Sequence, residues 1–440
     1  MNLRTSVIAR LVVMGMILLG LLIPLSMVEA VVSERTTRRD SVANDISSTW
    51  GSAQLLAGPM LTVPYECTVV ENDGRSRQII GRATFLPETL NVQGSLTPDV
   101  RKRGLFKVVV YAAQLTVTGR FAAPDLSIVT RGSVRPLLNE ASVNLGVADS
   151  RGVRSATLNW NGIDRRLEPG IGDTAIALTG LHARIDLTDP ANAGKAMTFT
   201  MTLQLNGSRD FRIVPAGNDT SVRLSSSWPH PSFIGASPQP RTVESTGFTA
   251  GWDISYFGRG FPRAWSDPVD RDKMRSLAEG AAFGVSLVQP VDIYQQTERA
   301  VKYAALFIVL TFVVFFLFEV VRARLLHPVQ YVFVGFALCV FYLLLISLSE
   351  HLGFDLAYAA AAAAITLLIS SYSSYVLGGL TEAAVVGACI GAVYGFLYLL
   401  LRIEDYALLA GSIGLFLALT LVMLLTRRVN WYELRLGGRA

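Results

Sequence analysis

Cysteine and histidine are both scarce in this chain, and each scarcity removes a class of chemistry. There are three cysteines in 440 residues, Cys67, Cys339 and Cys389. They supply neither a disulfide framework nor a CxxC metal motif. The four histidines, His182, His230, His327 and His351, include no two within five positions of each other. No HExxH zinc site can therefore be built on a helix. GxSxG and Walker A patterns are also missing. The residues call for no metal and no cofactor, and none is assigned a catalytic role.

Charge is scarce as well. Only 17% of residues are charged and 51% are hydrophobic, with a mean hydropathy of +0.41. Soluble domains carry about 25% charge, so much of the chain is expected inside a membrane. The net charge is +5, but residues outside 29–300 hold ten of the basic and seven of the acidic side chains. That leaves 29 basic against 27 acidic residues in the middle. The basic excess sits beside apolar runs and is no nucleic-acid footprint, so no nucleic-acid partner is expected.

Long apolar runs stand at both ends. Leu11 to Val28 gives 18 residues after a basic start, about 27 Å as a helix and close to the hydrocarbon thickness. It reads as an uncleaved anchor. A signal peptide is the alternative, with Val28-Glu29-Ala30 as a weak cleavage site. Five further spans are expected at Tyr303–Val321, Val329–Leu348, Phe354–Ser374, Ala383–Leu401 and Ala407–Thr426. With the N-terminus inside, Arg4, Arg10, Arg322, Arg324, Arg427, Arg428, Arg435 and Arg439 are all cytoplasmic. Six spans then place both termini inside and residues 31–298 on the far side.

Between the ends the period changes to two. Residues 29–50 read as a polar helix leaving the anchor, with Gly51 at its C-cap. After it come "LFKVVVYAAQLTVTGRF", "SATLNW", "ARIDLT", "MTFTMTLQLNG" and "TSVRLSS". Short β-branched runs between Gly, Pro, Asn and Asp predict a sandwich-like, β-rich domain.

Several stretches resemble the CreD family of cell-envelope-integrity proteins. They are "WGSAQLLAGPMLTVPY" from Trp50, "LNGSRDFRIVPAGNDTSVRLSSSWPHPSFIG" from Leu205, "YQQTERAVKYAALFIVLTFVVFFLFEV" from Tyr294, "RLLHPVQYVFVGFALCVFYLLLISLSEHLGF" from Arg324 and "RRVNWY" from Arg427. The resemblance covers nearly the whole chain. It implies a multi-pass bacterial inner-membrane protein with a periplasmic domain, tied to a two-component regulon, a stress response and envelope integrity. It implies no enzymatic mechanism.

Three groups of residues are candidates for function. "WPHPSF" holds Trp228, His230 and Phe233 in a stretch stiffened by Pro229 and Pro231. Trp228 and Phe233 can anchor in a core or groove, and His230 lacks an evident orienting partner. The bland reading is a structural corner. Glu350, His351, Arg402, Glu404 and Asp405 fall at the outer ends of spans and could form a polar seam between domain and bundle. The bland reading is ordinary loop charge. Gly387, Gly391 and Gly395 form a small-xxx-small stripe that suits close helix packing, inside the bundle rather than between copies. "DSRGVR", Asp149 to Arg154, reads as a salt-bridged turn. Glu319 is expected to pair at the inner interface near Arg322.

The fold expected is membrane α+β: an anchor (1–30), a β-rich periplasmic domain (31–298), a five-helix transmembrane bundle (299–427) and a cytoplasmic tail (428–440). The leading function is non-enzymatic, the periplasmic domain binding or sensing an envelope component. Its partners are the lipid bilayer and an envelope or inner-membrane component, with oligomeric state open. The alternative is a membrane-associated enzyme or lipid or glycan handler with its site between domain and bundle, near His230, His351 and Glu350. A transporter is disfavoured, because no ionisable residue lies at the middle of a span.

Overall fold

The computed structural model describes residues 7–70, 76–130, 133–172, 175–189, 196–289, 293–322, 326–403 and 406–427. Eight α-helices lie among them: α1 (Val7–Trp50), α2 (Arg271–Ala281), α3 (Ile293–Lys302), α4 (Ala304–Arg322), α5 (Pro328–Leu352), α6 (Phe354–Leu377), α7 (Leu380–Arg402) and α8 (Ala407–Thr426). An N-terminal apolar helix, a β-rich middle and several apolar C-terminal helices make this a membrane α+β protein. The chain forms two compact units, one of residues 1–40 with 291–440 and one of residues 41–290.

In the first unit, five helices are long and apolar enough to cross a membrane: α1, α5, α6, α7 and α8. A sixth candidate is the pair α3 and α4, bent by 48° at Tyr303 and counted as one span. Helix α1 runs unbroken for 44 residues through Pro24, about 66 Å. Met14, Leu21, Leu25, Val28 and Val32 are its buried residues in the apolar part. They recur at helical spacing and form one stripe, so one side of α1 packs while the rest is left to lipid. Gly335 of α5 is the receiving position, since a Cβ there would lie 2.1 Å from Leu21 Cδ1. Helix α6 buries Ala357, Ala361, Ile365, Ile369 and Ser373 at every fourth position. Ala357 and Ala361 therefore face protein, while Ala359, Ala360, Ala363 and Ala364 are exposed. Helix α8 has no buried residue; it leans on α7 where Gly414 admits the ring of Phe396.

The second unit is built from eighteen strands among the described residues. The first nine are β1 (Gln54–Val70), β2 (Ser76–Phe85), β3 (Thr89–Arg103), β4 (Phe106–Phe121), β5 (Ser133–Pro136), β6 (Ala141–Val147), β7 (Val153–Trp160), β8 (Ile163–Arg166) and β9 (Glu168–Pro169). The others are β10 (Gly180–Ile185), β11 (Met197–Ser208), β12 (Asp210–Ile213), β13 (Asp219–Ser226), β14 (Pro231–Ile234), β15 (Arg241–Glu244), β16 (Gly247–Ser255), β17 (Ala264–Ser266) and β18 (Phe283–Leu287). The period-two runs of the sequence are β4, β7, β10, β11 and β13.

One sheet has ten strands along the path β14-β18-β12-β1-β6-β10-β9, with β2 and β5 joined at the far half of β1 and β17 paired to β2. The other has eight, in the order β15-β16-β13-β3-β4-β11-β7-β8. Each sheet contributes to one apolar core: Leu56, Met60, Val143 and Phe211 from the first, Leu90, Leu115, Leu203 and Trp252 from the second. Strand β11 shows why, since its first eight residues alternate buried and exposed. That alternation gives a strand one core face and one solvated face. The ladder of β1 slips between Ala57 and Met60, where Gly58 and Pro59 sit. A proline has no N–H for the ladder, and a bulge is where a strand tolerates one.

Candidate functional site

The "SSSWPHPSF" stretch is the corner where the chain passes from one sheet to the other. Strand β13 ends at Ser226 in the eight-stranded sheet, and β14 begins at Pro231 in the ten-stranded sheet. There β14 pairs with β18, Phe233 opposite Val285. Pro231 opens an end strand, a position where the missing N–H costs little. Two aromatic side chains pin the turn. Trp228 Nε1 donates to the Val288 carbonyl at 3.0 Å, and the Trp228 amide donates to Ser226 Oγ at 3.2 Å. Phe233 meets Phe248 and Trp252 edge to face, each at 5.9 Å between ring centres. His230 lies between these anchors and is exposed.

The serines before the corner line an open groove of about 480 Å³. Ser95, Thr97, Ser225, Ser227, Thr242 and Thr249 give it hydroxyls, and Glu244 gives it one carboxylate. Among the described residues no histidine, lysine or cysteine borders it. The groove is equipped to exchange hydrogen bonds.

"DSRGVR" folds as a salt-bridged turn with a deeper role than its sequence suggests. Asp149 accepts from Arg151 Nε at 2.9 Å and Nη2 at 3.0 Å, and from the Ser52 amide at 3.1 Å. These contacts, the Arg151 hydrogen bond first, lower its carboxyl from the usual range to about 2. Gln54 beside it is buried and donates to the carbonyls of Asp149 at 3.2 Å and Asn206 at 2.9 Å. Trp50, the last residue of α1, donates Nε1 to the Tyr111 carbonyl at 3.3 Å and carries the Arg101 guanidinium over its ring at 4.5 Å. Tyr111 is fully buried, which pushes its phenol up, and its hydroxyl donates to the Asp210 carbonyl at 2.7 Å. Trp50 and Gln54, which belong to the unit of residues 41–290, are thus held within it by polar contacts to the sheets. Gly152 is required there, because a Cβ would lie 2.4 Å from the Asn206 carbonyl oxygen.

The charged residues grouped as one seam in the sequence divide into two sets of partners. Glu350 is nearly buried, accepts from Tyr294 at 3.2 Å and lies 3.9 Å from Arg35 of α1. Arg402 pairs instead with Asp355 at 2.6 Å and with the Tyr398 hydroxyl at 3.0 Å. His351 is exposed. Glu404 and Asp405 lie outside the described residues. Gly387 packs on α6, where a Cβ would lie 2.4 Å from Ser370 Oγ. Gly391 and Gly395 are exposed, and a Cβ at either would meet nothing within 4 Å.

Glu319 has a partner far away in the sequence. Its carboxylate is 1% exposed and is held by Arg10 of α1. It also accepts from the Leu326 amide at 3.1 Å and the Tyr331 hydroxyl at 3.0 Å. Three elements, α1, α4 and α5, therefore meet at one buried carboxylate. Sequence reading missed this centre because Arg10 and Glu319 are separated by much of the chain. The one available signal was an acid inside an otherwise apolar run, which needs a partner somewhere.

Comparison with known proteins agrees with this architecture. The family model described as "Inner membrane protein CreD" matches residues 6–432. The chain is 34% identical over 429 residues to "Inner membrane protein CreD" of Escherichia coli (strain K12), covering 96% of this chain and 93% of that protein. A match across the N-terminal apolar helix, the β unit and the C-terminal apolar helices alike means that the chain belongs to the CreD family of inner membrane proteins.

Proposed function

We propose that this protein supports cell-envelope integrity by presenting a binding domain on the outer side of the inner membrane. In this reading α1, the bent pair α3/α4 and helices α5 to α8 make six spans, and both termini are cytoplasmic. Residues 41–290 then face the periplasm and bind or sense an envelope component. The arginine distribution supports the orientation, since the flanking arginines gather on one side only if the bent pair is a full span. The observation that carries the binding role is the groove beside "WPHPSF", whose lining offers a row of hydroxyls and one carboxylate for hydrogen bonding. Assignment to the CreD family supports the membrane context.

Cysteine labelling in intact cells tests this. Cys67 and Cys339 are buried, and Cys389 is partly so; Cys389→Ser provides the background. Thr242→Cys, in the groove, should react with a membrane-impermeant maleimide without permeabilisation. Thr381→Cys, at the start of α7, should react only after it. The reverse pattern would place the β unit in the cytoplasm and end the proposal. The labelled protein should also restore resistance to envelope-acting detergents in a strain lacking its own family member.

A further inference from the structure

We infer that the outer face of the eight-stranded sheet binds an uncharged polysaccharide strand; this rests on the reading that the β unit binds an envelope component. The strand register is what points to it. Ser95, Gln114, Gln204 and Ser155 face one another across β3, β4, β11 and β7. Two residues along, Gln93, Thr116, Thr202 and Thr157 form the next row. Asn91, Thr118, Thr200 and Asn159 form a third. All of these side chains are exposed or half-exposed. They make a grid of four strands by three rows, about 14 Å on each side from the spacing of strands and residues.

Every position in the grid is an uncharged hydrogen-bonding side chain. A sheet face that is only solvated has no need for that restriction, and charged residues are common on such faces. Charge is plentiful at the margins. Arg223 pairs with Asp253 at 2.8 Å, Arg120 with Glu88 at 3.1 Å, and Asp164 and Arg166 sit on β8. Strand propensity accounts for threonine but not for Asn91, a residue depleted in strands. The first row also runs on past the grid. Ser95 lies opposite Ser225, Ser225 opposite Thr249, and Thr249 opposite Thr242. Seven strands thus carry one line of hydroxyls and amides, about 29 Å long, and it ends in the groove beside Trp228.

The chemistry selects the occupant. A nucleic acid or an anionic lipid surface needs lysine and arginine at the contact. A protein partner needs aromatic or aliphatic anchors, and the grid has none. A neutral polymer bearing hydroxyl or acetamido groups matches a regular array of donors and acceptors. With no aromatic platform each sugar binds weakly, so retention must grow with chain length.

Sedimentation of the detergent-solubilised full-length protein with insoluble polysaccharides tests the inference. Chitin presents acetamido groups, cellulose presents hydroxyls alone, and chitosan serves as the charged control. The protein should be retained on a neutral polymer, and high salt should not release it. Gln114→Ala/Gln204→Ala and Thr116→Lys/Thr202→Lys should each lower retention by about tenfold, the loss of roughly 1.4 kcal/mol of binding, while melting like the unmodified protein. Gln78→Lys, exposed on the other sheet, should leave it unchanged. Preference for chitin over cellulose would assign the acetamido group as the recognised feature, and equal retention the hydroxyls. The inference is overturned if neither neutral polymer retains the protein, if grid and control variants bind alike, or if retention is confined to chitosan and lost in salt. Because this assay uses purified protein, its failure is separate from a failure of the labelling test, which reads only the side of the membrane.

Discussion

Arg10 of α1 and Glu319 of α4 form an ion pair in which the carboxylate is 1% exposed. Charges shielded from water attract strongly, but the buried carboxylate has lost its hydration and Arg10, 18% exposed, part of its own, so the pair contributes less than the cost of breaking it. Glu319→Ala removes the carboxylate that faces Arg10 and leaves the Leu326 amide and Tyr331 hydroxyl without this acceptor. The expected loss is about 3–5 kcal/mol, seen as an early thermal transition in detergent. Arg10→Met/Glu319→Leu removes both charges and should recover most of it. A double variant no more stable than Glu319→Ala would mean that the pair is not the contact that matters.

The corner makes a prediction that separates its three notable residues. His230 is exposed, so His230→Ala should change stability by less than about 0.5 kcal/mol. Trp228→Ala removes a half-buried indole and its hydrogen bond to Val288, and Phe233→Ala removes contacts to Phe248 and Trp252. Each should cost about 2–3 kcal/mol, below the cost for a fully buried aromatic. Thermal unfolding of the three variants decides it. A large loss from His230→Ala alone would assign the histidine a structural role that its exposure contradicts.

These residues show where sequence reading reaches and where it stops. The apolar runs and the period-two strands are local patterns, and α1, α5 to α8 and β4, β7, β10, β11 and β13 fall where those patterns lie. Partners are not local. Nothing near Glu350 points to Arg35 or Tyr294, and nothing near Glu319 points to Arg10. The polar grid is harder still. Alternation shows that Gln93 and Thr202 leave the core, but only the strand order places them on one surface, and β3 pairs in parallel with the distant β13. The bend at Tyr303 is also hidden in the sequence, because α3 is polar and the apolar run begins after it.

The glycine stripe of α7 is not uniform, and substitution should reveal it. Gly387→Leu pushes a side chain into Ser370 of α6 and should cost about 1–3 kcal/mol as an overpacked contact. Gly391→Leu enters open space and should be neutral in the single protein molecule. Melting temperatures compare the two directly. If Gly391→Leu instead dissociates a purified oligomer, measured by light scattering, the open part of the stripe is a seam between copies.

Asp149 gives the β unit a dependence on acid. Its carboxyl is held near 2, below the ordinary value of 3.8, chiefly by Arg151 and then by Ser52. A lowered folded value means that the unfolded chain takes up the proton first as pH falls. The stabilisation is therefore complete above about pH 4 and is lost on descending to about pH 2. Arg151 is well exposed, so solvent screening keeps the contribution on the order of 1–2 kcal/mol. Melting temperatures of the unmodified protein and Asp149→Asn should differ most near pH 5 and converge toward pH 2. Taking the difference removes the other carboxylates, which titrate alike in both proteins. A constant gap over that range would show that Asp149 acts through shape rather than charge.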